Sequence, residues 1–124
     1  MPNIDIQCTV QLPRSDSHVF VRLIESRPER VRYRINLRDR NDNVTPVVRE
    51  DYYRIPVWHD LGRANHLRSY TIVCVGEVGF SVSGPWDLRC EFFLDDNLFH
   101  TCGPGNLNGA QGTRPFFRFT CLLT

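Results

Sequence analysis

Apolar and polar residues alternate with period two along most of this chain, the pattern of strands with one dry and one wet face. Ile4, Ile6, Cys8, Val10 and Leu12 interleave with Asp5, Gln7, Thr9 and Gln11. After the break at Pro13-Arg14-Ser15-Asp16, Val19, Val21 and Leu23 begin a second run. Val31, Tyr33, Ile35 and Leu37 form a third, with Arg32, Arg34, Asn36 and Arg38 on its other face. Further strands are expected at 44–48, 53–57, 69–75, 78–82, 86–94 and 116–123. Pro56 cannot donate to a ladder and places its segment at an edge or a bulge. Between His59 and Arg68 the sequence offers one or two helical turns, with Asp60 as cap and Leu61, Ala64 and Leu67 on one side. The expected fold is all-β: an immunoglobulin-like antiparallel β-sandwich of about eight strands, a single domain over 1–124, with at most one short helix near 60–67.

The sharpest local expectation concerns a hairpin. Leu94-Asp95-Asp96-Asn97-Leu98 reads as a three-residue loop whose last residue, Asn97, takes positive φ. Leu94 then opposes Leu98, Phe92 opposes His100 and Cys90 opposes Cys102, so that the apolar faces of both arms coincide. A two-residue loop would put them out of phase.

Two stretches carry a resemblance. Leu-x-Asp-x-x-x-Asn at Leu37 to Asn43, followed by Gly-Pro-Trp-x-Leu-x-Cys-x-Phe-x-Leu-Asp-Asp at Gly84 to Asp96, resembles immunoglobulin-like and macroglobulin-like sandwich domains. The likeness is one of pattern, over about two thirds of the chain. The Cys-Trp-Cys arrangement of antibody domains is missing, and such sandwiches host many functions.

With 15 basic and 14 acidic residues the chain has almost no net charge, which argues against bulk attraction to nucleic acid or anionic membrane. Every basic residue is arginine, a bias that GC-rich codon usage would produce. No apolar run approaches the roughly 20 residues of a membrane helix. The start Met1-Pro2-Asn3-Ile4-Asp5 does not read as a leader, so a cytoplasmic location is expected, with a virion component or a processed secreted chain as alternatives. The five cysteines, at 8, 74, 90, 102 and 121, show no C-x-x-C spacing; each follows an apolar phase and reads as a buried reduced thiol.

Several groups could carry chemistry. The hairpin register sets Cys90, Cys102 and His100 on one face, a donor set suited to zinc or to a cross-strand disulfide, although no fourth ligand is evident. Asp39 with Asp42, and Asp95 with Asp96, gather carboxylates in turns, where aspartate also serves the backbone and where calcium is the alternative. His59, Asp60 and His66 could support acid–base work, but no nucleophile accompanies them. Arg30, Arg32, Arg34 and Arg38 form a stripe able to clamp a small anionic ligand. The uncharged stretch Gly103 to Arg114 reads as a long loop, with Asn106, Asn108 and Arg114 as its contact groups, and its segment 105–112 reads as dispensable to the fold. The expected function is a non-catalytic binding or assembly module, without cofactor, acting through loops or an edge strand on a protein partner or on copies of itself. The alternative is a small metal-binding protein or metal-dependent enzyme using His, Cys and Asp residues.

Overall fold

The computed structural model describes residues 4–26, 30–53, 56–80 and 83–124. In chain order these form β1 (Ile4–Val10), β2 (His18–Glu25), β3 (Arg30–Arg38), β4 (Val44–Tyr53), β5 (His59–Arg63), α1 (Ala64–Leu67), β6 (Thr71–Gly79), β7 (Gly84–Leu94), β8 (Asn97–Gly109) and β9 (Phe116–Leu123). A five-stranded sheet has the order β1-β9-β6-β3-β4, and a four-stranded sheet the order β5-β2-β7-β8. The alternation read from the sequence is what buries one face of each. Val31, Tyr33, Ile35 and Leu37 of β3 join Phe117, Phe119, Cys121 and Leu123 of β9 and Val19, Val21 and Leu23 of β2 in one core. The two sheets around a shared core are consistent with a β-sandwich.

Several expectations are corrected. The sheets are not wholly antiparallel, because β1 lies parallel to β9, Ile4 beside Phe117 and Val10 beside Leu123. The strands expected at 69–75 and from Val78 onward are one strand, β6 (Thr71–Gly79), which runs through Gly76, while Ser81 and Val82 lie outside the described residues. A Cβ at Gly76 would collide with the Arg32 carbonyl and stand 2.7 Å from the Phe117 ring, so this glycine serves close packing inside the sheet. Similarly, 44–48 extends as β4 to Tyr53, at an edge with two register shifts against β3; Arg54 and Ile55 of the expected 53–57 strand lie outside the described residues.

The segment expected to be helical begins instead as strand β5, and only Ala64–Leu67 is helical. Asp60 does not cap it: the N-cap is Arg63, without a side-chain bond, and the Asp60 carboxylate accepts from the Gly62 backbone instead. Gly62, at φ +113°, sits where the β2–β5 register shifts, pairing with Val19 while Asp60 pairs with Phe20. That irregularity turns Leu61 into the core, which the helical reading had explained by periodicity.

The hairpin has a two-residue loop, Asp95-Asp96, and Leu94 pairs with Asn97. Asp95, not Asn97, takes positive φ, at 53°. The phase error this creates is cancelled at once: Phe93 pairs with Leu98 but Phe92 with His100, leaving Phe99 as an extra residue. Cys90 therefore still opposes Cys102, as the apolar pattern requires.

The expected loop at Gly103–Arg114 is largely strand, since β8 continues to Gly109 and pairs Gly105 with Leu88 and Gly109 with Gly84. Its glycines again mark close contact. A Cβ on Gly105 would strike Ile4, and one on Gly109 would enter the Phe80 ring. The segment 105–112 therefore contributes the last five residues of edge strand β8 and their pairs with β7, rather than a free loop.

Candidate functional site

On the outer face of the four-stranded sheet, β2 presents His18, Phe20 and Arg22, while Val19, Val21 and Leu23 point inward. In the β2–β7 register Phe20 stands opposite Phe93 and Arg22 opposite Glu91. Phe92 and Phe93 interrupt the alternation of β7: Phe92 belongs to the core, whereas Phe93 is buried outside it, at 5% exposure. The cover is Trp58, from the connection before β5, which stacks on Phe93 at 4.1 Å and contacts Phe20 at 6.0 Å. The Arg22 guanidinium lies 5.0 Å from the Phe93 centroid and 5.7 Å from that of Trp58. Its Nε and Nη2 donate to Glu91 Oε1 at 3.0 and 2.7 Å, which fixes its plane. Trp58 is still 40% exposed and Leu98, beside Phe93, 52% exposed, so the platform has an open apolar rim. At its end, His18 Nδ1 lies 3.0 Å from both carboxylate oxygens of Asp60. Burial alone would raise the Asp60 carboxyl, but bonds from His18 and the Gly62 backbone outweigh it and hold the group below its ordinary value.

The residues read as a catalytic cluster are separated. His59 points inward, where its Nε2 and the Tyr33 hydroxyl share a 2.6 Å hydrogen bond, and burial lowers its pKa. Asp60 points outward, and His66 is exposed in a different place. There it lines a hollow of about 490 Å³ with Asp39, Arg40, Asn41, Arg68, Ser69 and Tyr70. Asp39 is tied to its own turn: its carboxylate accepts from the Asn43 side chain and the Asn43 and Asn41 backbones, which hold its pKa down. Asp95 likewise accepts from the His18 backbone and Asp96 from Asn97.

Of the arginine stripe, Arg32, Arg34 and Arg38 lie along β3 on the outer face of the other sheet. Arg32 is half-buried opposite Glu77, while Arg34 and Arg38 are exposed opposite Val75 and Thr71. The backbone of Arg30 pairs with Gly79, and its side chain lies outside the described residues. The stripe therefore has an acid beside Arg32, an apolar residue beside Arg34 and a hydroxyl beside Arg38, and it lies on a different sheet from the strand that bears or precedes Asn106, Asn108 and Arg114. The last three are exposed, Asn106 and Asn108 on edge strand β8 and Arg114 beyond it.

The cysteines require a further correction. Cys8 and Cys102 are joined, across 94 residues, with Cα atoms 6.1 Å apart. The bond ties β1 to β8, the edge strands of the two sheets. Cys102 therefore bonds Cys8 and not its ladder neighbour Cys90. Cys74, Cys90 and Cys121 are free and buried. The hydrogen bond with Cys121, followed by burial, pushes the Cys90 thiol up, and burial pushes Cys74 up. His100 Nε2 lies 3.2 Å from Cys8 Sγ.

Trp58, Phe20, Arg22 and Glu91 were not singled out by sequence reasoning. The Phe92-Phe93 doublet was the available signal, since a strand that is apolar on both faces needs a second cover. Comparison with family models, curated proteins and solved structures returns no match. The site therefore rests on its own residues.

Proposed function

We propose that this protein is a non-catalytic binding and assembly module whose contact surface is the outer face around Trp58, and that a second copy of the chain is its partner. The carrying observation is the Trp58–Phe93 stack clamped by Arg22. Aromatic and arginine side chains held rigid before contact lose little entropy on binding, and such residues dominate interface energetics. On this face the Arg22 guanidinium is already paired with Glu91, and the Asp60 carboxylate is bonded to the His18 ring. A copy of the same face would therefore meet little like-charge repulsion, and the near-zero net charge adds none at long range.

The edge-strand route has less support. β4 carries Pro46 and two register shifts, β5 is five residues long, and β1 and β8 are tied to one another. These are devices that blunt strand addition. Sedimentation equilibrium over a concentration series tests the proposal. Wild type should exceed 14.5 kDa at high concentration, Trp58→Ala and Arg22→Ala should shift dissociation at least tenfold, and Arg34→Ala on the opposite face should not. A constant monomer mass for wild type, or equal association by Trp58→Ala, would overturn it.

A further inference from the structure

We propose that opening of the Cys8–Cys102 bond turns this edge of the molecule into a zinc site formed by Cys8, His100 and Cys102, so that the bond and the metal are alternative occupants of one place. Three features carry it. The donor atoms of these residues lie within 4.8 Å of one another, and among the described residues they are the group of three His, Cys, Asp or Glu so placed. His100 is directed there by the extra residue Phe99, which sends Leu98 to the outer face and His100 to the inner one. Two thiolates and an imidazole from two different sheets are then held by backbones that the core already fixes.

The dimensions suit zinc. With Zn–S near 2.3 Å and Zn–N near 2.0 Å, a tetrahedral ion sets nitrogen and sulfur about 3.5 Å apart and its two sulfurs about 3.8 Å apart. His100 Nε2 is already 3.2 Å from Cys8 Sγ, and Cα atoms 6.1 Å apart allow both thiolates to reach one ion by side-chain rotation. Cys102 is buried, whereas Cys8 and His100 are half-buried, so a fourth position faces solvent and would take water. The bulge restores the apolar phase of the hairpin and in doing so also sets a nitrogen ligand beside the cysteine pair, which a staple alone does not need.

The chemistry balances as follows. A phosphine reductant gives two electrons to the disulfide and takes oxygen from water; the S–S bond breaks and two thiols form. Zinc then displaces both thiol protons and binds the two thiolates and neutral His100, with release of two protons. Oxidation of the thiolates by a disulfide-class oxidant expels the ion and restores the bond.

The experiment titrates Zn²⁺ into the full chain, oxidised and phosphine-reduced, with metal content, circular dichroism and melting read together, and Co²⁺ as the spectroscopic probe. Reduced wild type should bind one ion per chain, show thiolate-to-cobalt absorption and melt higher with Zn²⁺, while oxidised protein binds none. His100→Gln, which keeps both thiols, should weaken Zn²⁺ at least tenfold. Cys8→Ala/Cys102→Ala should abolish binding although Cys74, Cys90 and Cys121 remain. If reduced chain unfolds, refolding on Zn²⁺ addition in wild type but not in His100→Gln supports the site equally. Binding to oxidised protein, equal binding by His100→Gln or by the double variant, or no binding and no refolding of reduced wild type would overturn it.

Discussion

Reducing the Cys8–Cys102 bond in metal-free buffer should cost this fold a large part of its stability. The bond closes a loop of 94 residues, and the chain-entropy relation for a loop of that length gives about 4.7 kcal/mol at 25 °C as the constraint lifted from the unfolded chain. At about 2.1 cal/mol/K of unfolding entropy per residue, the melting temperature should fall by roughly 15–20 °C. The bond also holds two edge strands side by side, so its loss releases contacts that β1 and β8 make beyond their own sheets. Thermal and guanidinium unfolding of oxidised, phosphine-reduced and Cys8→Ala/Cys102→Ala protein would measure this. Thiol titration of the denatured oxidised chain should find three free cysteines. A shift below about 1 kcal/mol would show that packing alone joins the edges and that the entropy argument fails here.

Gly105→Ala and Gly109→Ala should each destabilise by about 1–3 kcal/mol through overpacking against Ile4 and Phe80. Gly112→Ala, at φ +83° with nothing within 4 Å, should cost about 1 kcal/mol of backbone strain alone. A loss below about 0.5 kcal/mol at 105 or 109 in chemical denaturation would show that no chain segment presses on these glycines. Cys74, Cys90 and Cys121 should resist a thiol reagent in the native oxidised protein and react once it unfolds; rapid native labelling would contradict their burial. The neutral form of His59 is favoured in the fold, so its folded pKa lies below 6.5. Its contribution is complete above the unfolded value and is lost as pH falls through the folded one, because the unfolded chain takes up the proton first. His59→Gln should flatten the decline in melting temperature below pH 6.5; an unchanged profile would exclude His59 as its source.

Strand content was legible in the sequence because a buried sheet face imposes period two on every strand. The Cys90–Cys102 register was legible for the same reason, and its arithmetic erred only in the turn, where a bulge did what loop length had been asked to do. Glycine was the residue most often misread. At 76, 105 and 109 it marks places where another chain segment presses against the backbone, and composition cannot separate that from a flexible loop. The Cys8–Cys102 bond was out of reach because it depends on β1 and β8 being edges on the same side of two sheets, a fact of topology. Of the groups read as binding residues, Arg32, Arg34 and Arg38 share one face of β3 as the alternation requires, but which residues stand beside them across the ladder was not legible. Trp58 was invisible because its role depends on a Phe93 that faces outward.

Trp58 and Trp86 are the only tryptophans, and Trp86 is 3% exposed, so acrylamide quenching of tryptophan fluorescence reports on the proposed surface almost alone. Measured across a protein concentration series, wild-type quenching should fall as copies associate, towards the low value of Trp58→Phe, in which only Trp86 emits. Quenching that stays constant while the sedimenting mass rises would show that the copies meet elsewhere, and would contradict the assignment of this face.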